Sequence, residues 1–347
     1  MSGTFAPVFP CTEQAALLAA INAIADPGEA PAVAARLREF SSSPVLAMLD
    51  GQALTRLLSQ LNDHLTERVI MLLARRHRLP NVEWCWLALG SEGRHEQSFI
   101  TDQDNGLVFA AVDQREADAM RTLFLPFAQA VNQQLAACGF ALCSGEVMAG
   151  NPRWCLSLDE WRENFIDWVR RPDPDALLNA SIFFDLRPLC GHRPFGESLR
   201  RLMLGLTSDS PAFLHLMASN ALSAEPPLNF RGEIAGSDKE PIDLKKYGSR
   251  IFVDAARIFA LASATSAVNT GERLQLAGPP CAMRPEELSA VDAAFSQILR
   301  LRVRAQRQNG SNEICLADLD EFDRAILRET FRQARRLQSR LKLNYSL

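Results

Sequence analysis

The sequence predicts an α+β protein in which one small strand-bearing unit sits between a helical lead-in and a C-terminal helical bundle. Three observations predict it. Residues 12 to about 78 repeat Leu, Ala, Ile and Val at helical spacing; "VEWCWLALG" (82–90) is an apolar run of strand length closed by glycine; and after Asn151 nearly every segment returns to a helical period. At 347 residues the chain exceeds what one core fills, so several units are expected: a lead-in over 1–80, the strand-bearing unit over 81–150 and the helical region over 151–347.

In the lead-in, "ADPGEAP" and "SSSP" punctuate the helical pattern with Pro and Gly. The first strand is followed by "SEGRHEQS", rich in helix formers, and then by a second strand, "DNGLVFAAV". A helix from about Gln114 to Cys138 returns the chain, and "FALCSGEVMAG" (140–150) is the expected third strand. Beyond it, "LDEWRENFIDWVRR" aligns Leu158, Trp161, Phe165 and Trp168 on one stripe, while "DALLNASIFFDLRPLCG" reads as a helix ending at Pro188 and Gly191. "SRIFVDAARIFALASAT" is a further helix, and the tail from Glu286 to Leu343 gives two long amphipathic helices joined at "NGSNE". Between these lies "NFRGEIAGSDKEPIDLKKYG", a stretch long enough for a loop to suggest a functional role.

Composition removes several classes of function. The balance of 37 Lys plus Arg against 41 Asp plus Glu gives no electrostatic footprint for long nucleic acid. Eight cysteines without a CxxC pair read as reduced, mostly buried thiols. The N-terminus has no basic leader, and Glu13 interrupts its apolar stretch, so a cytoplasmic protein with no membrane span is expected.

Chemistry concentrates in "LALGSEGRHEQSFITDQDNGLVF" (87–109). Strand alternation sends Asp102 and Asp104 to one side and Gln103 to the other, which brings two like charges together. Such a pair is unfavourable alone and is relieved by a divalent cation. The Gly90-Ser91 turn offers backbone N–H groups to phosphate oxygens beside that cation. Magnesium suits the acids because it prefers carboxylate oxygens and retains substrate phosphates in its shell.

Gly90-Ser91 followed by Asp102-x-Asp104 resembles the signature of the polymerase-beta-like nucleotidyltransferases. The longer strings "GSEGRHEQSFITDQDNGLV", "CSGEVMAGNPRW", "SIFFDLRPLCG" and "IDLKKYGSRIFVDAARIFAL" resemble successive blocks of the bacterial DUF294 nucleotidyltransferases and their helical DUF294_C domain. The resemblance implies a small mixed-sheet transferase domain similar to the catalytic domain of protein-PII uridylyltransferase. It implies magnesium, one ion or two, with a nucleoside triphosphate as substrate and a protein or small-molecule hydroxyl as acceptor, in a signalling setting. Residues 1–80 lack the strand-rich pattern of the sensor modules that often precede such domains, and the turn after "IDLK" is Lys246-Tyr247-Gly248.

On that resemblance Asp102 and Asp104 hold the metal and act in catalysis, and Gly90, Ser91, Arg94 and Lys245 bind the nucleotide. A third catalytic carboxylate is expected at Asp185, on a helix, with Glu146 as the alternative. Glu96 and Gln97 read as hydrogen-bonded supports, His95 as a histidine without a catalytic partner, and the Trp154, Trp161 and Trp168 series as core. The rival class is a non-catalytic module that keeps the fold to bind a nucleotide or a partner.

Overall fold

The computed structural model describes residues 12–347 apart from 41, 42, 44 and 45. The leader reading, Cys11 and most of the "SSSP" break lie outside the described residues. Three helices open the chain: α1 (Thr12–Ala23), α2 (Ala30–Phe40) and the long α3 (Gly51–His77). The first break is a short 3-10 turn, Pro27–Glu29, capped by the Asp26 side chain on Gly28 N–H.

β1 (Trp84–Ala88) and β2 (Asn105–Phe109) then flank a four-residue helix, α4 (Gly90–Gly93), and α5 (Gln114–Ala137) follows. β3 (Cys155–Ser157), α6 (Leu158–Arg170), α7 (Pro174–Phe183) and β4 (Arg187–Gly191) come next. The sheet order is β3-β2-β1-β4, with β2 parallel to β3 and the other pairs antiparallel. The sheet is therefore mixed and small, as expected.

Three expectations need correction. "FALCSGEVMAG" is not a strand: its glycines and the left-handed Glu146 (φ 55°) turn the chain, leaving one bridge between Asp102 and Ala141. The third strand forms later, at Cys155–Ser157. "DLRPLCG" is not a helix end but contains edge strand β4, where Pro188 is tolerated because an edge position can spare an N–H. The expected boundary at residue 150 is consequently no boundary in the sheet, since β3 and β4 lie beyond it.

β1 is apolar throughout because both of its faces are covered. Trp86 and Ala88 join a core with Leu65, Val69 and Leu73 of α3 and Phe124, Phe127 and Val131 of α5. Cys85 and Leu87 point into the other core, with Trp161, Phe165, Phe183 and the helical region. Trp161 packs over Gly106, where a Cβ would lie 3.0 Å from its ring, and its indole N–H donates to the Leu107 carbonyl at 3.1 Å. Trp154, Trp161 and Trp168 are all buried, in keeping with a core role.

The remainder is helical: α8 (Pro194–Ser208), α9 (Pro211–Ala221), α10 (Arg250–Ala262), α11 (Thr270–Ala277), α12 (Pro285–Asn309) and α13 (Glu321–Tyr345). α12 and α13 pair as expected, with Gly310 (φ 67°) ending α12, and α12 also packs on α3. The long loop pairs β5 (Ile242–Asp243) with β6 (Glu313–Ile314) and enters α10 through a π-turn, Lys245–Ser249. Gly248 allows this turn to sit against α12, because a Cβ there would lie 2.6 Å from Ile298 Cγ1. Four of the seven described cysteines are buried and all seven are free thiols. Among the described residues no helix is long and apolar enough to cross a membrane.

Candidate active site

The site begins where β1 runs out. Leu89 N–H donates to the Asp104 carbonyl at 2.9 Å, holding the start of α4 against the acidic segment. Gly90 then takes φ 51°, and a Cβ on it would lie 2.4 Å from Asp104 Oδ2. Glycine is thus required both by the backbone angle and by the closeness of the carboxylate. The N–H groups of Gly90 and Ser91, in the first turn of α4, have no partner within that helix.

α4 is clamped from behind. Arg187 Nη2 donates to the Glu92 carbonyl at 3.0 Å and to both oxygens of Asp63, on α3, at 2.9 and 2.8 Å. Gly93 approaches so closely that a Cβ would stand 2.1 Å from the Asp185 carbonyl. Burial, with the charge of Asp63 second, raises the Glu92 carboxyl to about 8, so this group is largely neutral at pH 7.

Asp102 and Asp104 precede β2 rather than lying in it, yet they keep the alternation. Both line an open cleft of about 260 Å³, whereas Gln103 turns inward and donates from Nε2 to the Asn132 and Phe140 carbonyls, each at 3.0 Å. Neighbouring Asn105 is fixed by Ala149 N–H and Asn132 Nδ2, at 2.8 and 3.0 Å. The carboxylates of Asp102 and Asp104 and the Cys143 thiol place ligand atoms within 4.8 Å of one another. Burial, and then the charge of Asp102, raises the Asp104 carboxyl to about 6. A half-buried pair of like charges, in which Asp102 raises Asp104, is what a divalent cation would relieve.

The loop between α4 and Asp102 is fastened to the helical region. Glu96 accepts from Arg94 Nε at 2.7 Å, from Thr270 N–H at 2.6 Å and from Asn269 Nδ2 at 3.3 Å, joining it to the start of α11. Gln306 of α12 bonds Ser98 Oγ at 3.0 Å and Ile100 N–H at 3.0 Å. Gln97 accepts from Asn62 Nδ2 at 3.1 Å. His95 is left-handed (φ 57°), with Nδ1 3.4 Å from Asp63.

Asp185 lies in the turn after α7, not on a helix, and is fully buried. Its oxygens accept from Arg94 Nη1 (2.5 Å), from Arg257 Nε and Nη2 (3.1 and 2.7 Å) and from Arg273 Nη1 (2.5 Å). Burial pushes its carboxyl upward, but the guanidiniums of Arg257, Arg273 and Arg94 together outweigh it and hold the group well below the usual carboxylate range. Asp185 stands outside the Asp102, Asp104 and Cys143 cluster. Glu146 stands outside it too, exposed in its turn. The structure therefore brings neither candidate third carboxylate to the acid pair.

Gly90, Ser91, Arg94 and Lys245 all line the cleft with Asp102 and Asp104; Lys246 instead lies over its neighbour's ring, 4.8 Å from the Tyr247 centroid. Sequence reasoning passed over Cys143, Arg257 and Arg302, which belong to the same neighbourhood. Cys143 and Arg302 carry no local signal, while Asp254 and Arg257, an i, i+3 ion pair at 2.7 Å, could have been noticed as a helix pair.

Two family models match in succession: Putative nucleotidyltransferase DUF294 over residues 35–175, and Putative nucleotidyltransferase substrate binding domain, DUF294_C, over residues 211–345. The chain belongs to the DUF294 family. The first match spans the glycine turn, the acid pair and Cys143; the second spans the far wall of the cleft, including Lys245 and Arg302. β4 and Asp185 fall between the two. No curated protein matches the chain.

Proposed function

We propose that this DUF294 protein transfers a nucleoside monophosphate from a nucleoside triphosphate to a hydroxyl on a protein or small molecule, with magnesium held by Asp102 and Asp104. The observation that carries this reading is the convergence of two carboxylates beside the Gly90 turn, in a cleft whose opposite wall is cationic. The donor set fits a hard divalent cation through its carboxylates, and Asp104, raised to about 6 without a cation, is the group such an ion would hold ionised. Bound there, the ion would supply positive charge against the phosphates and the leaving pyrophosphate.

The chain's own residues supply the rest. Gly90 and Ser91 would orient phosphate oxygens with backbone N–H groups in a turn that Arg187 and Asp63 hold rigid. Arg94 and Arg257, positioned by Asp185, keep positive charge at the cleft wall. Asp185 is thus proposed as a positioning residue rather than the third carboxylate. The helical region, by its place across the cleft, would form the acceptor side.

One observation favours a second reading. Among the described residues the cluster at Asp102 and Asp104 holds no further carboxylate, which suits a module that binds a nucleotide and reports its presence without turnover. Incubating the protein with labelled nucleoside triphosphates and magnesium in lysate, and following label transfer and pyrophosphate release, tests both. Label on an acceptor supports transfer; metal-dependent triphosphate binding with neither label nor pyrophosphate supports the binding module.

A further inference from the structure

The cleft wall facing the acids is made by the π-turn Lys245–Ser249, the start of α10, and α12. Most of the cleft's arginines already have partners: Arg94 and Arg257 pair with Asp185, and Arg250 with Asp254. Arg302 differs. Its Nη1 donates to Ser249 Oγ at 3.0 Å and its Nε to Asn312 Oδ1 at 3.3 Å, both neutral acceptors, and among the described residues no carboxylate pairs with it. Burial, and then the positive charge of Arg94, lowers its pKa to about 10, which leaves it charged at neutral pH.

Half-buried, Arg302 feels Asp243, Glu96 and Asp102 only without contact, and a charge partly withdrawn from water with no carboxylate touching it is unfavourable. Two of the guanidinium's five N–H donors are engaged, and the others remain for a ligand. Lys245 lines the same cleft without a carboxylate partner among the described residues, and its charge reaches Asp104. The field of Asp102 in turn reaches Arg302, so the cation stands near the acid pair.

We infer that Arg302, held by Ser249 and joined by Lys245, forms the subsite for the terminal phosphates of the triphosphate and for the departing pyrophosphate. The inference rests on the proposed transferase reading and assigns the leaving-group end of the cleft. In the transfer, the acceptor oxygen bonds the α-phosphorus and the bond from that phosphorus to the bridging oxygen breaks. The electron pair departs on pyrophosphate, and the hydroxyl proton passes to solvent. A forked guanidinium meets two phosphate oxygens at once, which a lysine cannot reproduce.

The test is calorimetry of the whole chain with inorganic pyrophosphate and, separately, with a nucleoside monophosphate, each with and without magnesium. Arg302→Gln is expected to weaken pyrophosphate binding by about tenfold or more and to spare the monophosphate, with Arg302→Lys intermediate. Parental pyrophosphate affinity in Arg302→Gln, or equal losses for both ligands, overturns the subsite. Should Arg302→Gln fail to fold by circular dichroism, Arg302→Lys and Lys245→Ala decide, and parental affinity in both overturns it. The two readings fail separately: selective loss of pyrophosphate binding in a protein that transfers no label keeps the subsite and removes the transferase.

Discussion

Asp104 stands half-buried on the cleft wall and Asp185 fully buried behind it, and the protein treats their charges in opposite ways. Around Asp185 three guanidiniums converge, so its charge is over-compensated. Burial and then the charge of Asp102 raise the Asp104 carboxyl to about 6, against the weaker pull of the Cys143 hydrogen bond and of the Lys245 and Arg94 charges. A carboxylate whose partners are all built into the fold has little left to offer a ligand. One whose neighbours repel it retains an electrostatic need that an added ion can meet. That contrast in neighbours, together with access from the cleft, separates a structural acid from a candidate metal ligand.

The comparison is broken most sharply at the acid pair. Asp104→Asn, and separately Asp102→Asn, is expected to lower label transfer by about three orders of magnitude or more while the metal-free protein melts no lower than the parent. Transfer at the parental rate in either variant would refute the metal assignment. Asp185→Asn should do the converse, because it strands buried cations: a loss of about 3 kcal/mol in urea unfolding, with metal-dependent binding surviving in the molecules that remain folded. A stable Asp185→Asn protein that has lost turnover would restore it as the third carboxylate.

Gly90→Ala should cost about 1–3 kcal/mol through its φ of 51° and the collision with Asp104 Oδ2, and should weaken triphosphate binding; calorimetry beside a thermal melt checks both. Proton linkage sharpens the contrast further. Asp104 is raised in the folded state, so its contribution is fully present below the unfolded value of 3.8 and is lost as pH rises through about 6. Chelated protein should therefore lose about 1–2 kcal/mol of stability from Asp104 across that interval, with Glu92 adding its own fall from 4.5 toward pH 8, and Asp104→Asn should remove only the Asp104 share. Asp185, depressed, contributes with the opposite sign: its stabilisation is present above 3.8 and is lost only as the solution becomes strongly acidic. A melt series in chelator from pH 3 to pH 8 reads the Asp104 limb, and its extension to about pH 1 reads the Asp185 limb. The smallest effect is expected for Glu146→Gln, within about 0.5 kcal/mol and with unchanged transfer, because that side chain is exposed outside the cluster.

The parts of this design visible in the sequence are those written locally. Gly90, Ser91 and the alternation of Asp102, Gln103 and Asp104 sit in one short string, and the long amphipathic helices declare themselves by period. β4 was hidden because Pro188 and Gly191 resemble a helix stop, while its partner β1 lies a hundred residues earlier in the chain. β3 was misplaced because three residues carry too little pattern, and the glycine-rich stretch before it carries more. The environment of Asp185 was invisible for a plainer reason: Arg94, Arg257 and Arg273 arrive from three separate segments. Arg302 looks like any polar position of α12 until the π-turn is set against it.

The placement of β4 bears on how the chain comes to life on the ribosome. When the first 180 residues have emerged, the glycine turn and the acids exist, but β1 has an open edge, and Arg187, which fastens α4 to α3, has not been made. The guanidiniums that neutralise Asp185 arrive as late as residue 273, and the cation of the far wall at residue 302. Chains interrupted before α12 are thus expected to be silent, and those interrupted before β4 to carry in addition an unpaired strand edge that invites aggregation and marks them for disposal. Segments beyond residue 240 thus complete a cleft whose turn and acids are synthesised long before them.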